Sequence, residues 1–180
     1  MMTQEDRSLK KYIFKVTVLG DAEVGKTSII YRYAENRFIG RYIPTIGIDF
    51  SAKLMTLGEF NINLVIWDLG GQYKYRVLRK HYLEGSRASI LVYDITKRDT
   101  FEHIDRWFDD VTRHCGRVPC LLIGNKADME NERKIATEDG KRLADKLGIE
   151  FVETSAKSGL NVSEAFNSIA KMMIDHYVQI

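Results

Sequence analysis

No run of about 18 apolar residues occurs in the 180-residue chain, so no segment is expected to span a membrane. Cysteine is scarce: Cys115 and Cys120 form a C-x4-C pair, and no second pair exists to complete a zinc site. Two reduced thiols filling a core are expected. With only two prolines and no low-complexity stretch, a flexible linker is not expected either. Charge of one sign is also lacking. Twenty-seven basic against 25 acidic residues leave +2, without the one-sided field of a nucleic-acid binder, so no nucleic-acid partner is expected. The first residues, MMTQEDRSLKKY, lack the apolar stretch of a secretory signal, and a cytoplasmic protein is expected. His81, His103, His114 and His176 are scattered without metal-ligand spacing. What remains, 44% hydrophobic and 29% charged residues over the length of about one domain, suffices for a folded core.

Apolar runs alternate with helical patterns. Ile13–Leu19 reads as a strand ending in a glycine-bearing loop, and residues 26–36 have helical character. Residues 48–57 and 61–67 flank the turn-like Gly58-Glu59, as in an antiparallel hairpin. Residues 89–93, 120–123 and 150–153 read as three buried strands. Asp99 stands three residues before Glu102 as a capping pair, followed by Ile104, Trp107, Phe108 and Val111 on one helix face. Thr137 is placed to cap a helix ending at Gly148, and Asn161 with Glu164 to cap one carrying Phe166, Ile169, Met172, Met173 and Tyr177. Such alternation predicts an α/β fold with a mostly parallel sheet covered on both faces. Ligands in such folds bind beyond the carboxyl ends of the strands.

The loop after the first strand reads Gly20-Asp-Ala-Glu-Val-Gly25-Lys26-Thr27, a full G-x4-G-K-[ST] between a strand and a helix. Its backbone N–H groups, over Ala22, Glu23, Val24, Gly25 and on to Ser28, suit phosphate oxygens, and the helix N-terminus adds a favourable dipole. Lys26 would reach the β- and γ-phosphates, and the Thr27 hydroxyl would bind Mg²⁺. The base is read from Asn125-Lys126-Ala127-Asp128. A carboxylate on Asp128 accepts from the ring N–H and exocyclic amine of guanine, donors that adenine does not pair in that way. The stem of Lys126 can lie along the base. A backbone N–H of Ser155-Ala156-Lys157 could donate to the guanine keto oxygen. The ligand expected is therefore GTP or GDP.

With these motifs the chain resembles a Ras-superfamily small GTPase, and is most similar to the Rab family. The resemblance runs over about residues 12–178, with residues 1–11 as an N-terminal extension and 12–180 as a single G domain. It is carried by GDAEVGKT (20–27), PTIGIDF (44–50), IWDLGGQ (66–72), LVYDITKRDTF (91–101), GNKAD (124–128) and ETSAKSGLNVSEAF (153–166). It implies a P-loop fold with a six-stranded sheet, one strand antiparallel, and about five helices. It implies further that Thr45 binds Mg²⁺ and senses the γ-phosphate, that Asp68 holds Mg²⁺, and that the Gly71 amide meets the γ-phosphate. Gln72 matches the residue that orients the attacking water, and Phe38 the aromatic that packs on guanine. Lys26 and Gln72 are thus the catalytic candidates. Effectors, exchange factors and activating proteins are expected at switch I and switch II, with Ile46, Ile48, Phe50 and Trp67 as a partner surface.

The chain departs from the Rab pattern at Leu69-Gly70-Gly71, where the double glycine resembles the Arf version, and at Tyr73-Lys74-Tyr75-Arg76. Leu69 is expected to pack beneath its loop, and Glu23 to point to solvent. Hydrolysis is expected to be slow. No prenylation cysteine stands near Ile180 and no myristoylation site at Met2, so no lipid anchor is expected in this chain, with membranes reached only through partners; a monomer is expected separately. A GTP-binding scaffold with very slow or absent hydrolysis is the alternative. A nucleoside kinase would need an arginine-bearing lid that the sequence lacks.

Overall fold

A computed structural model of the chain describes residues 9–41, 43–70 and 79–178. Six strands form one sheet: β1 (Lys10–Leu19), β2 (Ile48–Leu57), β3 (Phe60–Leu69), β4 (Ala88–Asp94), β5 (Cys120–Asn125) and β6 (Glu150–Thr154), in the order β2-β3-β1-β4-β5-β6. Every neighbouring pair is parallel except β2 with β3, the hairpin, in which Leu57 faces Phe60. β1 starts at Lys10, inside the stretch read as an extension, where the Lys10 N–H donates to the Glu59 carbonyl at 3.0 Å.

The five expected helices are present, one of them in two pieces. They are α1 (Lys26–Glu35), α2 (Arg79–Leu83), α3 (Arg98–Glu102) with α4 (Ile104–Cys115), α5 (Thr137–Leu147) and α6 (Val162–Tyr177). Only His103 separates α3 from α4, and its φ of −83° and ψ of −6° keep the chain close to helical.

Burial follows the strand periods. On β1 and β3 the even-numbered residues Phe14, Val16, Val18, Ile62, Leu64 and Ile66 enter a core closed by Ile29 and Ile30 of α1 and by Phe166, Ile169 and Met173 of α6. The second core holds Leu69, Leu91, Tyr93 and Leu122 against Tyr82, Trp107, Val111 and Ala144. A strand buried on both faces loses the apolar/polar alternation: β4 is buried at all seven positions and mainly apolar, with Ser89 and Asp94 as its polar members. β2 lies at the edge and alternates: Ile48, Phe50, Ala52 and Leu54 are all exposed.

Three caps differ from the sequence reading. Asn161 precedes α6 in the left-handed region (φ 56°), and its amide donates to the Glu153 carbonyl at 2.9 Å, tying α6 to β6 in place of capping. Ala136, not Thr137, occupies the cap position of α5, and Thr137 is already helical. Lys97 precedes α3, while the Asp99 carboxylate accepts from the adjacent Thr100 N–H at 3.0 Å. Gly148 ends α5 at φ 68°, where a left-handed residue suits glycine.

Candidate functional site

The loop between β1 and α1 has two glycines that no other residue could replace. Gly20 (φ 147°) would place a Cβ 2.2 Å from the Val92 carbonyl oxygen, and Gly25 (φ 99°) one 2.3 Å from Asn125 Nδ2. Between them, Glu23 turns outward and pairs with Lys97 at 2.9 Å, with both side chains about half exposed. Lys26, at the first position of α1, is buried, and its ammonium donates to the carbonyls of Gly20 (2.9 Å) and Asp21 (2.7 Å). Burial lowers its pKa to about 8 against the opposing pull of Asp68 and Asp21.

At the carboxyl end of β3, Asp68 meets two hydroxyls. Thr27 donates to its Oδ2, Thr45 lies 3.3 Å from the same oxygen, and the two hydroxyls are 2.7 Å apart. The other oxygen, Oδ1, is buried without a hydrogen-bond partner among the described residues. Burial also raises the Asp68 pKa. A buried carboxylate oxygen with no donor, beside two hydroxyl oxygens, fits a hard divalent cation. Among the described residues no group of three or more His, Cys, Asp or Glu side chains is arranged to hold a metal, and this site has one carboxylate with two hydroxyls. Leu69, the next residue, is buried in the second core, and the Gly70 N–H donates to the Gly47 carbonyl at 3.0 Å. Gly71 and Gln72 lie outside the described residues.

β5 ends in the fully buried Asn125, which ties three loops together. Its Nδ2 donates to the Val24 carbonyl at 2.9 Å, and its Oδ1 accepts from Thr154 Oγ1 (3.0 Å) and the Ala156 N–H (3.3 Å). Lys126 follows in the left-handed region (φ 71°), with its ammonium 2.6 Å from the buried Asp94 carboxylate. Ser155 Oγ donates to Asp128 Oδ1 at 2.6 Å and accepts from the Ser158 N–H at 3.0 Å, so one serine orients the carboxylate.

These loops border one cavity of about 930 Å³, lined among others by Ala22, Ser28, Phe38, Thr45, Asp128 and Lys157. Phe38 is 37% exposed. Of the amides in Ser155-Ala156-Lys157, that of Ser155 donates to Leu160 and that of Ala156 makes the long bond to Asn125. Two supporting residues had no signal in the sequence reading. Arg32, on α1, donates from Nε to the Ala156 carbonyl and from Nη2 to that of Lys157, each at 2.8 Å. Asp94, which receives Lys126, stood in the sequence only as part of the LVYDIT run.

The model of the Ras family matches residues 15–175, nearly the whole of the described fold. The chain belongs to the Ras family. Among curated relatives of this Ras-family chain, Ras-related protein Rab-13 of Mesocricetus auratus is 44% identical over 161 residues, 89% of this chain and 79% of that protein. Ras-related protein Rab-3C of Bos taurus is 41% identical over 165 residues, 91% of this chain and 73% of its own. Ras-related protein RABA4b of Arabidopsis thaliana is also 41% identical, over 159 residues, 88% of this chain and 71% of its own. The chain is a Rab-like small GTPase of the GTP-binding switch type. No described helix is long and apolar enough to cross a membrane.

Proposed function

We propose that this Ras-family chain binds GTP with Mg²⁺, hydrolyses it slowly to GDP, and acts as a Rab-like switch whose partners read the nucleotide state. The reading rests on one arrangement: Asp128, oriented by Ser155, opens onto the same cavity as Lys26, with Asn125 fastening the loops of both. In this proposal the Asp128 carboxylate selects guanine, and Phe38 and the Lys126 stem flank the base. Ala22, Glu23, Val24, Gly25 and Ser28 present main-chain N–H groups to phosphates. Ser155, Ala156 and Lys157 close the base side.

Lys26 would exchange its two carbonyl partners for phosphate oxygens, which favour its charged form. Thr27, Thr45 and Asp68 would hold Mg²⁺. A bound Mg²⁺ would neutralise charge on the β- and γ-phosphate oxygens. By resemblance, Gly71 contacts the γ-phosphate and Gln72 orients the attacking water. Thr45 and Gly71 then change their contacts when the γ-phosphate leaves, the differential interaction a switch requires. Ile43 (54% exposed), Ile46 (84%) and Phe50 (66%) would form the surface that effectors, exchange factors and activating proteins engage. Those partners would also account for any membrane association in Rab-like trafficking.

The test is to denature freshly purified protein and identify the released nucleotide by chromatography. GDP is the expected product. GTP alone would favour a scaffold that does not cycle, and an adenine nucleotide would overturn the role of Asp128.

A further inference from the structure

The phosphate loop is held from outside the site. Asp21, second in the loop, has both carboxylate oxygens taken by one turn of the α3–α4 helix: Trp107 Nε1–H donates to Oδ1 at 2.9 Å, and His103 Nδ1 stands 2.6 Å from Oδ2. The main-chain carbonyl of the same Asp21 accepts from Lys26. On the other side, the Arg79 guanidinium lies over the Trp107 ring at 4.0 Å and pairs with Asp110 of α4 at 2.6 Å. Arg79 is the first residue of α2. One indole therefore touches the loop that would cradle phosphates and the start of the helix that follows Gln72 in the chain.

We propose that Trp107 and His103 are positioning residues for the nucleotide: by fixing Asp21 they hold the phosphate loop open to phosphate, and through Arg79 the hold is shared with α2. A carboxylate with both oxygens engaged cannot rotate, so its main chain is confined as well. The loop needs that confinement. Glycine at positions 20 and 25 supplies no side chain to anchor the backbone, and the outward-facing Glu23 adds only a half-exposed ion pair. Arg79 cannot leave the indole face without also breaking its pair with Asp110, so movement at the start of α2 reaches Asp21 through a single ring. Such coupling gives a partner bound near α2 a route to nucleotide release that touches neither the base nor the phosphates.

The inference rests on the guanine-nucleotide reading, and the test separates the two. Release of a fluorescent GDP analogue from the full chain, chased by excess GDP, is timed for the wild type, Trp107→Phe, Asp21→Asn and their combination. Phenylalanine keeps an aromatic face of smaller size and removes the N–H. Each single variant should release roughly tenfold faster, and the double variant no faster than the quicker single. Arg79→Gln should speed release in the same sense and add little to Trp107→Phe. Val111→Ala, on the same helix but buried away from Asp21, controls for loss of stability and should release at the wild-type rate. Wild-type rates in Trp107→Phe, or independent multiplication of the effects, would overturn the inference, as would an equal acceleration in Val111→Ala. A wild-type chain that retains no GDP analogue would instead overturn the nucleotide reading. In that case, amide hydrogen exchange of residues 20–27 still decides: faster exchange in Trp107→Phe supports the positioning role, and unchanged exchange refutes it.

Discussion

The ammonium of Lys126 lies 2.6 Å from the carboxylate of Asp94, a residue with no exposed surface at the carboxyl end of β4. The other Asp94 oxygen accepts from the Thr96 N–H (2.8 Å) and hydroxyl (2.7 Å), so the acid cannot follow the lysine if the lysine moves. The side chain of Lys126 is 28% exposed and can turn to water. The pair is therefore asymmetric. Lys126→Met should destabilise the nucleotide-free chain by about 3 kcal/mol, because it strands a buried charge. Asp94→Asn should cost less, roughly 1 kcal/mol, since the freed ammonium can be hydrated. Urea unfolding of the two variants checks the order; equal losses, or a larger loss in Asp94→Asn, would refute the asymmetry.

Lys26 gives a pH signature. Its pKa in the nucleotide-free chain is lowered to about 8, whereas phosphate oxygens favour the ammonium. Nucleotide binding at pH 8 should then take up about half a proton, measurable by titration calorimetry in buffers of different ionisation enthalpy. The folding linkage has the opposite sense to that of a salt-bridged lysine. Between pH 8 and the unfolded value of 10.5 the unfolded chain holds more protons, so stability rises with pH across that window. A Lys26→Met chain should lose this rise. If wild type and variant track each other from pH 8 upward, Lys26 is not the buried ammonium described.

Gly25→Ala tests the join between the phosphate loop and the base strand. Its methyl would fall 2.3 Å from Asn125 Nδ2 at a φ of 99°, so either the loop or the amide must shift. Affinity for GDP should fall at least about tenfold, through the displaced Asn125 bond to Val24. Backbone strain should add a stability loss of about 1–3 kcal/mol. Equilibrium binding alongside thermal melting separates the two effects.

Gln72→Leu should slow single-turnover decay of bound GTP on the order of a hundredfold, the scale expected when an attacking group loses its alignment. GDP binding should be unaffected. Hydrolysis at the wild-type rate would transfer the water-orienting role to another group.

Much of the sheet was legible because its signals are local. Ile13–Leu19 and the hairpin about Gly58-Glu59 announce themselves by apolar period and turn residues, and the strands found extend those readings by a few residues. Leu69 was expected beneath its loop, where it packs, and Glu23 outward, where it pairs with Lys97. The motifs likewise mark Lys26, Asn125 and Asp128, whose loops meet at one cavity. What escaped depends on distance along the chain. Trp107 reaches Asp21 across 86 residues and Arg32 reaches Ala156 across 124, and in sequence each reads as an ordinary helix residue. Asn161 was misread for the converse reason. Its local pattern suits a cap, but a tertiary acceptor, the Glu153 carbonyl, takes the amide.

The order of the strands carries a consequence for synthesis. β1, β2 and β3 lie next to one another at one side of the sheet, with α1 against them, so the amino-terminal third of the chain can pair as it leaves the ribosome. The partners of Asp128 and Asn125 come last: Thr154 ends β6, the strand at the far edge of the sheet, and Ser155 and Ala156 follow it. A nascent chain ending before residue 154 possesses the phosphate loop yet lacks the serine that orients Asp128. On the proposed reading, selective capture of a guanine nucleotide would have to wait until residues 154–156 have been made, long after the phosphate loop is in place.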